Sequence, residues 1–420
     1  MNRWVRLWSA FIGMVMIGNL QYAWTLFAQP MVKAHAAQHW HLSDVQWGFG
    51  LFIAVGTWSM PLLALAVPQR MYIDKAGPRV WMMLSGVLCA IGWGSLGHVG
   101  SLTSFYLLYS IAGIGVACVY ACGVSFAVKW FPDRRGIASG IITAGYGMGA
   151  AAFNPLFDHL IRTIGYSETF LWTGITHGAL ILLSGFMLKN PPADYSVAAG
   201  PAKPKVRRHD LDFTYTEMLR TPQFYFLFIA MLSMGVGGLM VTSQLKPVAT
   251  NFKIGEDALT VALVLTPLAN GFSRILWGWV SDYLGREWTM FTAFLLQAVF
   301  LLAATTLGRT GDFMFVALMV LVFLTWGELY VLFPAVLADL YGYKNSAFNY
   351  SFLYAAKGVA SLVGSGIAAS LFEKTGTWNY AFFGSAALAL LASLMALYVR
   401  RIPLPQKNVF HALTAQPSAS

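Results

Sequence analysis

The sequence has 420 residues, of which 57% are hydrophobic and 10% are charged, and its formal net charge is +10. Soluble globular proteins carry about a quarter charged residues, so this composition excludes an ordinary water-soluble domain. The basic residues are spread over many short segments, which argues against a protein that binds nucleic acid through one basic surface. Each crossing of a bilayer needs about 20 apolar residues, so the chain has room for about a dozen crossings.

Apolar windows between charged or Pro/Gly-rich segments predict twelve transmembrane helices, which we number as spans 1 to 12. The first six are 7–28, 44–67, 80–99, 102–128, 136–161 and 167–188. The last six are 223–250, 257–281, 288–307, 312–340, 346–372 and 377–400. We therefore predict an all-α membrane protein that consists of a six-helix bundle over 1–188, a central cytoplasmic loop over 189–221, a second six-helix bundle over 222–400 and a cytoplasmic tail over 401–420.

Basic residues are unevenly divided between the two sets of loops. If both termini are cytoplasmic, 19 of the 27 basic residues lie on the cytoplasmic side and 6 on the opposite side. The positive-inside rule therefore predicts that both termini are cytoplasmic. The six basic residues on the opposite side are Lys33, Arg162, Lys246, Lys253, Arg309 and Lys374.

A short motif repeats in the two halves of the chain. A D-x-x-G pattern follows span 2 and occurs again 208 residues later, after span 8. Its residues and the arginines beside them are Asp74, Gly77 and Arg79, and then Asp282, Gly285 and Arg286. Two six-span halves related by an axis along the membrane normal place a substrate site near the middle of the bilayer.

Two basic residues, Arg274 in span 8 and Lys357 in span 11, lie inside apolar segments. A cation at the bilayer centre costs roughly 2.5 to 3.5 kcal/mol on insertion scales, so it usually faces a cavity and a partner. One alternative is a buried ion pair, but Glu328 is the only carboxylate clearly inside a span. The excess positive charge therefore indicates a transported anion, with Arg274 suited to a bidentate carboxylate.

Several neutral or acidic residues in the same spans are further candidates. Glu328 points away from the face that Trp326 and Tyr330 share, and two roles remain open for it: a structural pair or proton coupling. Buried glutamines need hydrogen-bond partners, whereas each aromatic residue is as well suited to packing or lipid contact as to the site. These candidates are Gln21, Gln46, Tyr120, Trp326, Tyr330 and Tyr354.

Other residue patterns predict no metal, cofactor or catalytic centre. Three histidines in the first external loop lack cysteine or acidic partners beyond Asp44, so we expect no metal there. They are His35, His39 and His41. The glycine-rich segment 140–149 follows no strand and precedes no GK[ST], which excludes a phosphate loop, and motifs such as HExxH and GxSxG are absent from the sequence.

Seven segments resemble the major facilitator superfamily and, more narrowly, the bacterial oxalate:formate antiporters. They are GNLQYAWTLFAQP in span 1, KWFPDRRGIASG leading into span 5, AGYGMG, EMLRTPQF, NGFSRILWGWVSDYLGR, LTWGELYVLFP and FNYSFLYAAKGVAS. The resemblance extends over most of the chain. It implies that the two D-x-x-G loops take part in gating.

The same resemblance implies a binding site for carboxylates. In that family an arginine of span 8 and a lysine of span 11 flank the carboxylates of oxalate, which implies this role for Arg274 and Lys357. Related monocarboxylate transporters generally lack the lysine, so Lys357 favours a dicarboxylate. The polar and aromatic lining of the family would correspond to Gln21, Tyr22, Gln46, Tyr120, Trp326 and Tyr330, with Tyr354 next to them.

These features together predict a monomeric secondary carrier of the bacterial inner membrane that exchanges oxalate for formate by alternating access, without a cofactor. Its partners would be these small carboxylates and the lipid bilayer. One alternative is a proton-coupled symporter for monocarboxylates such as lactate or pyruvate, with Glu328 as proton carrier. Another is a sensor that binds a carboxylate without moving it.

Overall fold

The computed structural model describes residues 2–66, 77–131, 135–192, 195, 211–342 and 345–406. Most of these residues are helical, and no strand occurs among them. The all-α prediction is therefore confirmed for the described residues. Asp74 lies outside them.

The first six spans are helical along the predicted segments. Span 1 is bent by 44° between its two helices, and spans 5 and 6 are separated at Gly165, whose φ of 86° and ψ of 162° are not helical. The helices are Arg3–Tyr22 and Trp24–Ala34, Leu42–Ala66, Pro78–Gly94, Leu102–Trp130, Arg135–Met148, and Ala150–Met187.

The second six spans follow a short helix, Tyr215–Met218, in the predicted central loop. Span 10 consists of two helices, and span 11 contains one turn of π-helix between two α-helical parts. The helices are Pro222–Asn251, Glu256–Leu284, Arg286–Thr306, Asp312–Trp326 and Leu329–Tyr341, Ser346–Ser361 with Leu362–Ile367 and Ala368–Thr375, and Asn379–Arg401.

Twelve crossings can be counted in the described part of the chain. Nine helices are long and apolar enough to cross a bilayer, and the bent pair of span 1 forms a tenth. One of the nine, Ala138–Met187, contains two crossings because it breaks at Gly165. Leu42–Ala66, with 25 residues, supplies the twelfth. The prediction of twelve transmembrane helices is confirmed.

The packing of the spans follows the two-fold repeat of the sequence. Span 3 packs against span 6, and the pair six spans later, spans 9 and 12, packs in the same way. Between the halves, span 2 packs against span 11, and span 5 packs against span 8. Spans 2 and 5 of the first half correspond to spans 8 and 11 of the second, so these two contacts are equivalent under the repeat. The two six-helix bundles therefore meet along spans 2, 5, 8 and 11.

Small residues allow close contact along the surface where the bundles meet. Ser361 Oγ donates a hydrogen bond to the carbonyl oxygen of Gly50 at 2.8 Å. A Cβ atom on Gly147 would lie 3.2 Å from the Cα atom of Gly271. Helices in a membrane associate through such close van der Waals packing, since lipid provides no hydrophobic force between them. The two bundles are therefore held together without large interlocking side chains at these points.

The two glycines of the repeated motif have the same conformation. Gly77 has φ 88° and ψ 154°, and Gly285 has φ 84° and ψ 159°. Each precedes the first residue of a helix, span 3 or span 9. Only glycine adopts such positive φ values without strain, which explains the glycine of the D-x-x-G pattern.

The arginines beside these glycines anchor the loops to neighbouring spans. Arg79 Nη2 donates to the carbonyl oxygen of Phe186, near the end of span 6, at 2.7 Å. Arg286 donates to Ser281 Oγ, and its Nε lies 3.6 Å from Asp339 Oδ2 of span 10. These contacts place both motifs at the end of the molecule that carries the chain termini. We call the opposite end, with His39, the distal end.

Candidate functional site

The two basic side chains inside the spans, Arg274 and Lys357, both lie against the ring of Tyr330. Arg274 is 2% exposed and Lys357 is 4% exposed. Arg274 Cζ lies 4.6 Å from the ring centroid of Tyr330, and Lys357 Nζ lies 5.2 Å from the same centroid. The two charges are therefore within about 10 Å of each other. Residues from spans 8 and 11, which are far apart in sequence, form one cationic site.

The guanidinium of Arg274 is positioned by span 5. Its Nη1 donates to the carbonyl oxygen of Thr143 at 2.5 Å. A Cβ atom on Gly147 would lie 3.2 Å from Arg274 Nε, so the glycine leaves room for the guanidinium. The remaining donors, Nε and Nη2, have no hydrogen-bond partner in the described structure.

The ammonium of Lys357 is held by polar groups of spans 1 and 11. Lys357 Nζ donates to Gln21 Oε1 at 3.0 Å and to the hydroxyl of Tyr354 at 3.3 Å. The hydroxyl of Tyr146 donates to the same Gln21 oxygen at 2.5 Å. Gln21 therefore accepts from two donors at once, and its oxygen is fixed toward Lys357.

Aromatic residues connect the two cations to the neighbouring spans. The rings of Trp326 and Tyr330, which were predicted to share one face of span 10, pack edge to face with their centroids 5.5 Å apart. The rings of Tyr120 and Tyr354 stack at 5.7 Å with an interplanar angle of 11°. Tyr120 and Tyr354 belong to different halves, so this stack is part of the surface where the two bundles meet.

Tyr22 belongs to the same cluster. Its ring lies 5.9 Å from the ring of Tyr146, and its hydroxyl accepts a hydrogen bond from Asn270 Nδ2 at 2.6 Å. Spans 1, 5 and 8 are thereby linked beside Arg274. Of the nine candidate binding residues, the structure brings together Arg274, Lys357, Gln21, Tyr22, Tyr120, Trp326, Tyr330 and Tyr354.

Gln46, the ninth candidate, makes its hydrogen bonds elsewhere. Its Oε1 accepts from Trp24 Nε1 at 3.1 Å, and its Nε2 donates to the carbonyl oxygen of Ser243 at 3.0 Å. Both groups of the Gln46 amide are thus occupied by spans 1 and 7. The structure places this residue in a contact between the two bundles.

Glu328 lies at the break between the two helices of span 10. It is fully buried, and neither carboxylate oxygen has a hydrogen-bond partner in the part of the chain that the structure describes. No ion pair joins it to Arg274 or Lys357 among these residues. The alternative in which Arg274 and Lys357 form a buried ion pair with Glu328 is therefore not observed among the described residues, and neither of the roles predicted for Glu328 is tested by this geometry.

Four buried donors around the site have no acceptor within the described structure. They are Arg274 Nε, Arg274 Nη2, Gln21 Nε2 and Trp326 Nε1. Buried donors are normally hydrogen-bonded, because an unpaired one loses its hydration without compensation. Carboxylates offer several acceptor lone pairs and no donor when ionised. The unpaired donors of Arg274 and Gln21 suit a small carboxylate anion.

A narrow cavity adjoins the site between spans 2, 4, 5 and 11. It has a volume of about 20 Å³ and is lined by Gln21, Tyr146 and Lys357 among other residues. This is room for about one water molecule. A carboxylate therefore needs more room than this cavity provides.

Three residues of this site were missed by the sequence analysis: Thr143, Tyr146 and Asn270. Tyr146 belongs to the AGYGMG segment, which we interpreted through its glycines alone. Asn270 precedes Arg274 by four residues and therefore lies on the same face of span 8. That spacing was a usable signal. The role of Thr143 depends on its backbone carbonyl, which sequence does not reveal.

The histidines between spans 1 and 2 make no cluster with acidic residues of the described part of the chain. Both ring nitrogens of His35 lie 3.0 Å from backbone carbonyl oxygens, those of Met31 and Val99. The ring also stacks on Trp40 at 3.9 Å. No group of three or more His, Cys, Asp or Glu residues with metal-binding geometry occurs among the described residues.

Two proteins with related sequences are carboxylate transporters by name. The Oxalate:formate antiporter of Oxalobacter formigenes is 37% identical over 398 residues, which are 95% of this chain and 91% of that protein. Monocarboxylate transporter 13 of Bos taurus is 24% identical over 425 residues, which are 99% of this chain and 92% of that protein.

The fold and the family model agree with these relatives. A bacterial homolog of the human lysosomal transporter Spinster, solved in an inward-facing and unoccupied conformation, has 16% identity and a TM-score of 0.64. The match covers 94% of this chain and 95% of that one. The family model of the Major Facilitator Superfamily matches residues 9–247 and 226–419. The chain therefore belongs to the Major Facilitator Superfamily and, within it, to the family of the oxalate:formate antiporters.

Proposed function

We propose that this protein is a secondary carrier that exchanges oxalate for formate across the bacterial inner membrane by alternating access, as a monomer. The observation that carries the proposal is the pair Arg274 and Lys357. Both are buried, both contact the ring of Tyr330, and neither has a carboxylate partner among the described residues. The 37% identity to an oxalate:formate antiporter supports the same substrate class.

The charges of the site favour exchange over net transport. A dianion compensates both cations, so the loaded site is neutral and the bundles can close around it at low electrostatic cost. A monoanion matches only one of the two basic side chains, and the empty site leaves both without an anion. Return of the empty carrier is therefore the most unfavourable step, and an anion on the return path reduces its cost.

The geometry of the two cations also suits two carboxylates. The free Nε and Nη2 atoms of Arg274 form one edge of the guanidinium, which can donate two parallel hydrogen bonds to one carboxylate. Lys357 offers a single ammonium to the second carboxylate. Gln21 Nε2 is a further unpaired donor, on the side chain that holds Lys357.

The test is uptake of labelled oxalate into proteoliposomes loaded with formate, with oxalate or with buffer alone. We expect uptake only with an internal carboxylate, and its loss in Arg274→Gln and in Lys357→Gln. Lys33→Gln removes an exposed cation outside the site and serves as the matched control. Oxalate binding without uptake would instead indicate a sensor, and an absence of binding and uptake would refute the proposal.

A second candidate function, proton-coupled uptake of a monocarboxylate, is favoured by Glu328. An ionised carboxylate without a hydrogen bond is costly in a buried position, so a side chain in this environment is best accommodated with a proton bound. We expect lactate or pyruvate uptake driven by an inward proton gradient in this case. If Glu328→Gln keeps the full pH dependence of uptake, Glu328 has no part in proton coupling.

A further inference from the structure

A proline in span 8 exposes a backbone carbonyl to the other bundle. Pro267 has no N–H group, so the carbonyl of Leu263, four residues earlier, lacks its helical partner. Asn154 of span 5 donates from Nδ2 to this carbonyl oxygen at 2.8 Å. Asn154 is 1% exposed, so the bond lies in a dry environment. A side-chain amide from the N-terminal bundle thus replaces a missing helical hydrogen bond in the C-terminal bundle.

The same arrangement occurs in span 7. Pro247 removes the helical partner of the carbonyl of Ser243, again four residues earlier. Gln46 of span 2 donates from Nε2 to that carbonyl oxygen at 3.0 Å. Gln46 and Ser243 are both fully buried. Two prolines of the C-terminal bundle therefore provide two acceptors, and two amides of the N-terminal bundle occupy them.

Further contacts between the bundles lie toward the same distal end. The backbone N–H of Lys246 donates to Thr25 Oγ1 at 2.8 Å, and Lys246 Nζ lies 3.4 Å from Asp158 Oδ1. Arg162 Nη1 also pairs with Glu256 Oε2 at 3.0 Å. These residues sit between the site cations and the distal loops. Together the contacts join spans 1, 2 and 5 to spans 7 and 8.

The buried bonds contribute more to this closure than the ion pairs. The side chains of Arg162 and Glu256 are 55% and 77% exposed, so water and salt screen their attraction. Asp158 and Lys246 are 20% and 23% exposed and are screened less. The two amide-to-carbonyl bonds are shielded from water in the closed state, so their attraction is not screened in this way.

We propose that the carbonyls of Ser243 and Leu263, released by Pro247 and Pro267, are the points at which the N-terminal bundle closes the distal side of the anion site. Gln46 and Asn154 are the gate residues that bind them. Opening of the distal side breaks both bonds, and water entering the gap then hydrates the released groups. Under the predicted orientation this is the external gate.

The proposal rests on alternating access but on no particular substrate. Spin labels at Gln38→Cys and Thr310→Cys, two exposed distal positions in different bundles, report the separation of the distal ends. Cys89, Cys118 and Cys122 are replaced by alanine in this background. Distances are measured by pulsed electron resonance on the full chain in nanodiscs, without added anion. A failure of oxalate uptake therefore does not affect this test.

Pro267→Ala provides the sharpest variant, because alanine restores the N–H that competes with Asn154 for the Leu263 carbonyl. We expect the longer-distance population to rise about fivefold, as loss of one buried hydrogen bond implies. Asn154→Leu should have a similar effect. The longer-distance population of the double variant should not be appreciably larger than that of either single variant, because both changes break the same bond.

Pro30→Ala is the matched control, since it makes the same change in a helix at the distal end of span 1. It should leave the distance distribution unchanged. Monodisperse elution and an unchanged melting temperature identify variants that fold normally. The proposal is overturned if Pro267→Ala behaves like Pro30→Ala, or if the effects of Pro267→Ala and Asn154→Leu simply add.

Discussion

Arg274 and Lys357 carry the same charge but make different contacts. The guanidinium is fixed by a backbone carbonyl of span 5 and keeps two free donors on one edge. The ammonium is shared between Gln21 and Tyr354. A bidentate carboxylate therefore requires the arginine, whereas the lysine compensates a second charge. The two residues should differ in their effects on dianions and monoanions.

We expect Lys357→Gln to reduce oxalate transport more than formate transport, because it removes the charge that only a dianion needs. Arg274→Gln should reduce both, since every carboxylate uses the guanidinium. Initial rates of oxalate and formate exchange in proteoliposomes measure the difference. Equal loss of oxalate and formate transport in Lys357→Gln would contradict the assignment of one cation to each carboxylate.

Tyr146 is a positioning residue, because its hydroxyl fixes the Gln21 oxygen that holds Lys357. Tyr146→Phe should raise the KM for oxalate about fivefold, the effect of one hydrogen bond, with little change in maximal rate. Tyr109→Phe is the matched control. It removes another buried hydroxyl, bonded to the carbonyl oxygen of Leu20 at 3.0 Å. An equal rise in KM for both variants would indicate a general packing effect.

Irregular segments interrupt three spans at the level of the site. Span 1 bends after Tyr22, span 10 breaks at Gly327 and Glu328, and span 11 has a π-helical turn after Lys357. Within a membrane such irregular backbone occurs where it is buried in protein or lines a cavity. π-helical turns are frequent at functional sites. These elements direct site residues toward the middle of the molecule.

Gly327 has a packing role at one of these breaks. A Cβ atom there would lie 2.0 Å from Ser273 Oγ and 2.4 Å from the carbonyl oxygen of Asn270. Gly327→Ala should therefore push span 10 away from span 8 and destabilise the protein by about 1–3 kcal/mol. It should also lower transport, because Arg274 follows Ser273 directly.

Thermal unfolding in detergent measures this destabilisation. Gly140→Ala is the control, because a Cβ atom at Gly140 would meet nothing within 4 Å. This change should be neutral or stabilise the helix by up to about 1 kcal/mol. Equal melting temperatures for the two variants would show that spans 8 and 10 tolerate the added carbon.

The molecule as a whole consists of two bundles whose contacts near the site are polar and specific. The bundles share the anion site, and two side-chain amides of one bundle bind released carbonyls of the other. Small residues line the remaining contact along spans 2 and 11. Such a surface can separate at one end without exposing a large apolar core, as alternating access requires.

The predicted orientation can be tested on the whole protein. A cysteine at Gln38 in the distal loop should react with a membrane-impermeant maleimide in intact bacterial cells. A cysteine at Gln406, at the end with the termini, should react only after the membrane is permeabilised. Both positions are exposed, so accessibility depends on the side of the membrane. The reverse pattern would show that the basic loops do not set the orientation.

The sequence by itself determined the twelve spans, because each crossing must be apolar over its whole length and this signal is local. It also identified Arg274 and Lys357, since a charge inside an apolar segment stands out without any knowledge of its neighbours. The paired D-x-x-G motifs likewise predicted two related halves, and the equivalent helix pairs confirm them.

Only the tertiary structure decided which polar groups meet. Gln21 and Gln46 are equivalent as buried glutamines in the sequence, yet one holds Lys357 and the other binds a carbonyl of span 7. Helical periodicity fixes the face of a residue on its own span, whereas its partner depends on how distant spans pack. The role of Pro267 could not be predicted for the same reason. The carbonyl that it releases, that of Leu263, accepts a hydrogen bond from Asn154, which lies 109 residues away in the sequence.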